Sequence, residues 1–318
     1  MKYTIKYKAH NTYETPVDEA LWQFLIIPEN NDSQELVRED FTNSLRVAIE
    51  SSINGYGFNT YRIHPKKQFK DIHFDATFVV KKSKPEELKI AQKEAKIDIY
   101  SVLHSLEFKS ENEPFLRTTP LTQLPENPTD IFSFDITVSP FANLQALNKW
   151  IFDEFTFKPN VTTIESSLGD ILETKEGVCQ DFTHLFCAIA RKNNIPTRYV
   201  SGYLHRGIGY LGDSQMHAWV ECLLPEVGWV GFDPTNNLFA EIHHIKVCHG
   251  KDYTDCSPLK GIIFTTGANE TSYSVEVTSP EDDEKILSQT QQMGDMVQTP
   301  SVGTISQIQQ QQQQTKKL

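Results

Sequence analysis

Between residues 179 and 234 the pattern of apolar residues changes once, from helical spacing to segments typical of strands. This change limits the folds that the chain can adopt. Apolar residues recur every three or four positions from 182 to 190, until Pro196 ends the pattern. The spacing predicts an amphipathic helix that begins at Cys179. Three segments typical of strands follow, at 197–204, 217–224 and 228–234. This order predicts a helix packed on an antiparallel sheet.

The last two of these strands are expected to form a hairpin, because only Pro225, Glu226 and Val227 separate them. Antiparallel pairing brings the start of one strand beside the end of the next. His217 opens the first strand, and Asp233 lies near the end of the second. Asp233 is then placed to accept a hydrogen bond from one ring nitrogen of His217, while the other nitrogen faces the helix start.

The chemistry that fits this arrangement is acyl transfer through a thiol. Such a reaction needs a thiolate, an imidazole that moves the proton, and a group that orients the imidazole. A helix N-terminus stabilises a thiolate, and Cys179 stands where the predicted helix begins. Gly177 leaves room for a substrate backbone. The candidate catalytic residues are therefore Cys179, His217 and Asp233.

Each of the three residues also has an ordinary structural interpretation. A cysteine at a helix start is more often a small buried residue, and a histidine that opens a strand is more often hydrogen-bonded structure. Aspartate before proline is common in turns. The prediction depends on the ordered set rather than on any one of its members.

This ordered set resembles the transglutaminase-like superfamily of cysteine enzymes, which share a papain-like core. The resemblance rests on three stretches: "GVCQDFTHLFCAIARKNNIPTRYVSGY" (177–203), "MHAWVECLLPEVGWVGFDPTNN" (216–237) and "GKDYTDCSPLKGIIF" (250–264). It is strongest for the bacterial branch, whose members begin with a small β-domain. Asn194 stands where the family pattern usually has glycine.

The resemblance implies that Cys179 is the nucleophile, His217 the base and Asp233 the orienting acid. The Cys179 backbone N–H is the one oxyanion donor that the motif implies. The animal enzymes use an upstream tryptophan for this purpose, a role that we do not assign to Trp150. No acidic loop of a calcium site is present in the sequence. We expect no cofactor and no metal. "EIHHIKVCHGKDYTDC" (241–256) contains possible zinc ligands, but their spacing fits no common zinc pattern.

The rest of the chain predicts an α+β protein with two domains and a tail. Short alternating segments such as "YTIKYK", "SLRVAIE" and "IHFDATFVV" predict an antiparallel, β-sandwich-like domain over residues 1–85. A helical part (86–195) and a sheet part (196–278) would form the catalytic core. Residues 279–318 end in a glutamine tract and are expected to be disordered, because so few large apolar residues cannot offset the chain entropy.

The charge and the cysteines limit the partners and the compartment. A formal net charge of −12 disfavours nucleic acid and anionic membranes as partners. The five cysteines are odd in number and irregularly spaced, which favours reduced thiols. No apolar run near the N-terminus is long enough for a signal or a membrane span. We therefore predict a cytoplasmic protein.

The predicted function is cleavage of an amide bond in a peptide or protein through a Cys179 thioester. Water as the acyl acceptor would make the protein a protease or amidase. Hydrolysis is preferred because bulk water reacts with the thioester faster than an amine does unless the pocket excludes water. An amine acceptor would make it a transglutaminase. A non-catalytic scaffold that keeps the core is the remaining alternative. The substrate and the oligomeric state stay open.

Overall fold

The computed structural model describes residues 1–87, 99–126, 131–163, 166–205, 211, 215–280 and 314–317. Its strands in chain order are β1 (Lys2–Val17), β2 (Glu19–Phe24), β3 (Gln34–Asn43), β4 (Ile49–Ile53), β5 (Asn59–Ile63), β6 (Phe69–Lys82), β7 (Thr156–Phe157), β8 (Glu176–Gly177), β9 (Thr197–Leu204), β10 (His217–Leu224), β11 (Gly228–Asp233), β12 (Leu238–Phe239), β13 (His244–Gly250), β14 (Leu259–Phe264), β15 (Asn269–Thr278) and β16 (Gln314–Lys317). Its helices are α1 (Ile99–Leu103), α2 (Leu106–Glu111), α3 (Glu113–Leu116), a 3₁₀ turn (Pro120–Thr122), α4 (Pro140–Glu154), α5 (Leu168–Thr174), α6 (Cys179–Lys192) and α7 (Tyr253–Cys256).

Two sheets hold the N-terminal strands, and both also contain strands from near the end of the chain. One has the order β15-β1-β6-β3, and the other has the order β16-β14-β2-β5-β4. Buried and exposed positions alternate along β1, so one face of this strand packs inward while the other meets solvent. Buried aromatic side chains join the two sheets, since Trp22 and Phe24 of β2 each contact Phe74 of β6.

A third sheet supports the candidate site. Its strand order is β12-β11-β10-β9-β13, and all of its pairings are antiparallel. Helix α6 packs against β10 and β9. The apolar face predicted for this helix is buried, with Leu185 and Phe186 inaccessible to solvent. The predicted helix on an antiparallel sheet and the α+β class are confirmed.

The end of α6 explains the residue that departs from the family pattern. Asn194 has a φ of 60°, which is the left-handed region where glycine is favoured and asparagine is the next best residue. Arg191, in the last turn, is buried and donates to the carbonyl oxygens of Thr197, Arg117 and Lys251. The helix therefore ends in a turn that fixes the start of β9.

One predicted strand is absent from the structure over most of its length. "SLRVAIE" (44–50) is not a strand over most of its length, because a turn follows β3 and β4 begins only at Ile49. The Asn43 side chain closes this turn by bonding both the N–H and the carbonyl of Val47. The division into domains stays a prediction, and residues 281–313 and 318 of the predicted disordered tail lie outside the described residues. Within the described residues, no helix has the length and apolarity that a membrane crossing requires.

Candidate active site

Cys179 is the first residue of α6, as the sequence predicted. The residue before it, Val178, donates its backbone N–H to Asp181 Oδ2 at 2.8 Å, and Thr162 Oγ1 donates to the same oxygen at 2.7 Å. Burial raises the pKa of Asp181 to about 6. A Cβ on Gly177 would lie 3.1 Å from the side chains of Asp181 and Phe182, so a larger residue would crowd the turn that leads into Cys179.

His217 and Asp233 meet across the hairpin that the sequence predicted. Val220 pairs with Phe232, which brings the start of β10 beside the end of β11. His217 Nε2 lies 2.8 Å from Asp233 Oδ2, and both side chains are fully buried. Burial alone would lower the pKa of His217, but the charge of Asp233, its hydrogen bond and the nearby Cys179 raise it to about 10. The pair is therefore arranged as imidazolium and carboxylate.

Cys179 lies near the same imidazole. Nε2 of His217 is engaged by Asp233, and Nδ1 has no hydrogen-bond partner of good geometry among the described residues. The Cys179 thiol lies close enough to contribute to the raised pKa of His217. Of the five cysteines, all within the described part of the chain, the other four are buried and only Cys179 is partly exposed. The structure thus places Cys179 and Asp233 near the His217 imidazole.

Asp233 has three further hydrogen-bond partners. Its Oδ1 accepts the N–H of Thr235 at 3.0 Å, and its Oδ2 accepts Asn236 Nδ2 at 2.9 Å and His244 Nε2 at 3.0 Å. Burial would raise the pKa of this carboxyl, but His217 and His244 hold it well below its usual range. The hydrogen bond between His244 and Asp233 was not predicted, because in the sequence this histidine was interpreted only as a possible zinc ligand.

Other residues weighed from the sequence have structural partners. Arg198 forms a mostly buried ion pair with Glu221, with Nε 2.6 Å from Oε2, and its guanidinium lies over the Trp229 ring at 4.1 Å. Trp219 is buried beside His217, with ring centroids 6.3 Å apart. Trp150 contacts Phe155 and other aromatic side chains. Most of the loop "HRGIGYLGDSQ" (205–215), predicted to border the cleft, lies outside the described residues.

A cavity of about 570 Å³ lies on the side of the sheet where His244 and Trp219 project. Its walls carry both signs of charge, with Lys82 and Lys246 facing Glu29 and Glu221 among the lining residues. Lys246 Nζ pairs with Glu221 at 2.8 Å. Burial, the largest influence, lowers the pKa of Lys82 to about 8. The cavity is therefore a polar one that His244 and Trp219 border.

Comparison with known proteins identifies what this chain is similar to. A family model described as the transglutaminase-like superfamily matches residues 135–234, which include the three candidate residues. A solved structure from Cytophaga hutchinsonii, described as a "putative cysteine protease", has a TM-score of 0.68 and 19% identity, and the match covers 88% of this chain and 91% of that chain. At this level of identity the likeness concerns the fold, which is that of a papain-like core with an additional β-rich part.

Two curated relatives match shorter stretches. An uncharacterized protein of Mycobacterium leprae is 39% identical over 137 residues, which cover 42% of this chain and 48% of that protein. A protein-glutamine gamma-glutamyltransferase of Pseudomonas aeruginosa is 33% identical over 93 residues, which cover 27% of this chain and 14% of that protein. The chain thus spans about half the length of the first relative and much less of the second.

Proposed function

We propose that this chain, whose core has the fold of the transglutaminase-like superfamily, is a cysteine-dependent hydrolase of amide bonds in peptides or proteins. The observation that carries the proposal is the buried contact of 2.8 Å between His217 and Asp233, with the Cys179 thiol at the helix start near the same imidazole. Three residues of these types in this order can form a thioester and resolve it.

The proposed reaction has two steps. Cys179 Sγ attacks the amide carbonyl carbon, and the C–N bond breaks as His217 gives its proton to the departing amine. Water then attacks the thioester carbonyl while His217 takes a proton from this water, and the C–S bond breaks, which releases the acid and restores the Cys179 thiolate beside the charged His217. Asp233 keeps the imidazole oriented and stabilises its charged form. The Cys179 backbone N–H, free at the first position of α6, is a donor for the oxyanion.

Alkylation of the thiol against pH tests this proposal directly. We expect Cys179 to react with iodoacetamide at pH 6 within about tenfold of its rate at pH 9, because the proposed mechanism requires a thiolate beside the charged His217 imidazole. An ordinary thiol would react roughly 200-fold more slowly at pH 6 than at pH 9. In His217→Ala, Cys179 should also react roughly 200-fold more slowly at pH 6 than at pH 9. Intact mass and peptide mapping identify the labelled residue, and the four buried cysteines are internal controls.

A parent protein in which Cys179 already shows the ratio of an ordinary thiol would contradict the proposed mechanism. The scaffold interpretation would then be favoured, because a core without an activated thiol cannot form the thioester at a useful rate.

A second candidate is protein-glutamine transglutaminase activity, which the name of the Pseudomonas aeruginosa relative favours. Both activities share the thioester and differ in the molecule that attacks it. We expect a glutamine- or amide-containing peptide to yield mainly the hydrolysed acid when the parent enzyme is supplied with a primary amine at millimolar concentration. Mass spectrometry of the product separates acid from amine adduct, and a product that is mostly adduct would assign the transferase activity.

We also propose that the protein works in the cytoplasm, a location that its five unpaired cysteines support. A disulfide between any two of them in protein extracted without reductant would contradict this location.

A further inference from the structure

Two histidines share one oxygen of the buried Asp233 carboxylate. His217 Nε2 lies 2.8 Å from Oδ2, and His244 Nε2 lies 3.0 Å from the same atom. All three side chains are almost completely buried, with 2% of the His244 side chain exposed at most. The reaction proposed above uses only the first of these contacts. The second contact lacks a role in that reaction.

The other partners of Asp233 are local. Thr235 and Asn236 follow it in the same turn, so their hydrogen bonds move with the carboxylate when that turn moves. His244 instead opens β13, and two strands, β10 and β9, lie between β13 and β11 in the sheet. Its hydrogen bond therefore fixes Asp233 relative to the rest of the sheet, which a contact within the turn cannot do.

Gly202 on β9 makes this long contact possible. It pairs with His217 on one side and with Lys246 on the other. A Cβ at Gly202 would lie 2.2 Å from the Ile245 carbonyl oxygen and 2.5 Å from Cη2 of Trp219. Because no side chain stands there, Trp219 can lie flat on the sheet. The His244 ring then packs against Trp219 at 5.2 Å in an edge-to-face arrangement.

The charges that face His244 keep its ring neutral. Burial is the largest influence and lowers its pKa, and the positive charges of His217 and Lys82 act in the same direction. The Asp233 carboxylate opposes them without reversing the direction. A neutral imidazole that meets a carboxylate through Nε2 donates its Nε2–H. His244 therefore supplies a hydrogen bond without placing a second positive charge on the carboxylate that His217 needs.

We propose that His244 is a positioning residue, a neutral hydrogen-bond donor that holds the Asp233 carboxylate in the orientation that presents His217 to Cys179. This inference rests on the proposed function, since it assigns a role within the same site. His244 acts through Asp233 and is not a catalytic residue.

The test compares two substitutions at His244 with one at its neighbour. His244→Gln keeps an N–H donor near the position of Nε2, whereas His244→Leu removes it at similar volume. His243→Leu is the matched control, because the same change is made one residue away at a side chain that contacts Tyr3 instead of Asp233. The readout is the ratio of the Cys179 alkylation rates at pH 6 and pH 9, measured together with the melting temperature.

We expect His244→Leu to lower the ratio of the Cys179 alkylation rate at pH 6 to that at pH 9 by about tenfold. His244→Gln should stay within about threefold of the parent, and His243→Leu should match the parent. The conservative variant separates positioning from packing, because a purely structural role would follow the melting temperature rather than the presence of a donor.

Two results would overturn the inference while leaving the proposed function intact. One is a parent-like ratio in His244→Leu, and the other is an equal loss in His244→Gln and His244→Leu. A parent protein whose Cys179 reacts like an ordinary thiol would overturn the proposed function, and this inference with it. The parent measurement therefore distinguishes the two failures.

Discussion

Cys179→Ala should abolish the proposed amidase activity, with a loss of about 10⁶-fold in kcat, the size found when a serine protease loses its nucleophile. The thioester cannot form without the sulfur, and no other cysteine can replace it, because the remaining four are buried. Burial also raises the pKa of Cys187 to about 11, so this thiol is protonated at neutral pH. The measurement is turnover of whichever peptide the parent cleaves in a mass-spectrometric library screen.

The matched control for this experiment is Cys187→Ala, the same change on the same helix. It removes a buried thiol from the core and is expected to lower the free energy of unfolding slightly while leaving turnover near that of the parent. Cys179→Ala should leave the melting temperature unchanged, because alanine suits the first turn of a helix. Full activity in Cys179→Ala would show that the reaction does not pass through this thiol.

Asp233→Asn should affect both activity and stability. We expect kcat to fall about 10⁴-fold, as when the orienting acid of a serine protease triad is replaced by its amide. We also expect the free energy of unfolding at pH 7 to fall by about 3–5 kcal/mol, the cost of breaking a buried ion pair. The amide N–H₂ of asparagine would meet the N–H groups of His217 and His244, so buried donors would face donors.

The stability loss in Asp233→Asn should depend on pH. The raised pKa of His217, about 10, stabilises the fold fully below the unfolded histidine pKa of about 6.5, and this stabilisation disappears as the pH rises through 10. The lowered pKa of Asp233 stabilises the fold above the unfolded aspartate pKa of about 3.9, and this contribution falls as the medium becomes more acidic. The difference in the free energy of unfolding between the parent and Asp233→Asn should therefore be largest between about pH 4 and pH 6.5.

Urea unfolding at several pH values measures this difference. The control is Asp252→Asn, the same change at another buried aspartate, whose side chain caps α7 by accepting the N–H of Thr254. Asparagine caps a helix about as well as aspartate, so little change is expected there. A stability loss in Asp233→Asn that is independent of pH would argue against the ion pair.

Local pattern was enough to predict the elements that carry the candidate residues. The start of α6 follows from the apolar spacing after Cys179, and the hairpin follows from the short connection between two strand-like segments. Because the register of a short hairpin is nearly fixed by its turn, the meeting of His217 and Asp233 could also be expected. These features depend on residues that are close in sequence.

The features that were not predicted depend on the order of the strands in the sheet or on side-chain bonds within turns. His244 lies within reach of Asp233 because β13 pairs with β9, at a position where β9 has Gly202. The periodicity of the sequence does not predict this strand order. The turn after β3 was missed because the bonds of the Asn43 side chain outweigh the β-branched and apolar composition of the following residues. Pairing between distant strands must be seen in three dimensions.

The return of the chain to its first strand has a consequence for folding during synthesis. β15 pairs with β1 along ten residues, and the Lys6 and Glu276 side chains that meet there are 270 residues apart. A ribosome must therefore make all the elements from β2 to β14 before the first sheet can acquire its edge strand. Until then β1 has an unpaired edge, which can pair with other chains. Contacts of such long range slow folding, so the nascent chain depends on protection of that edge.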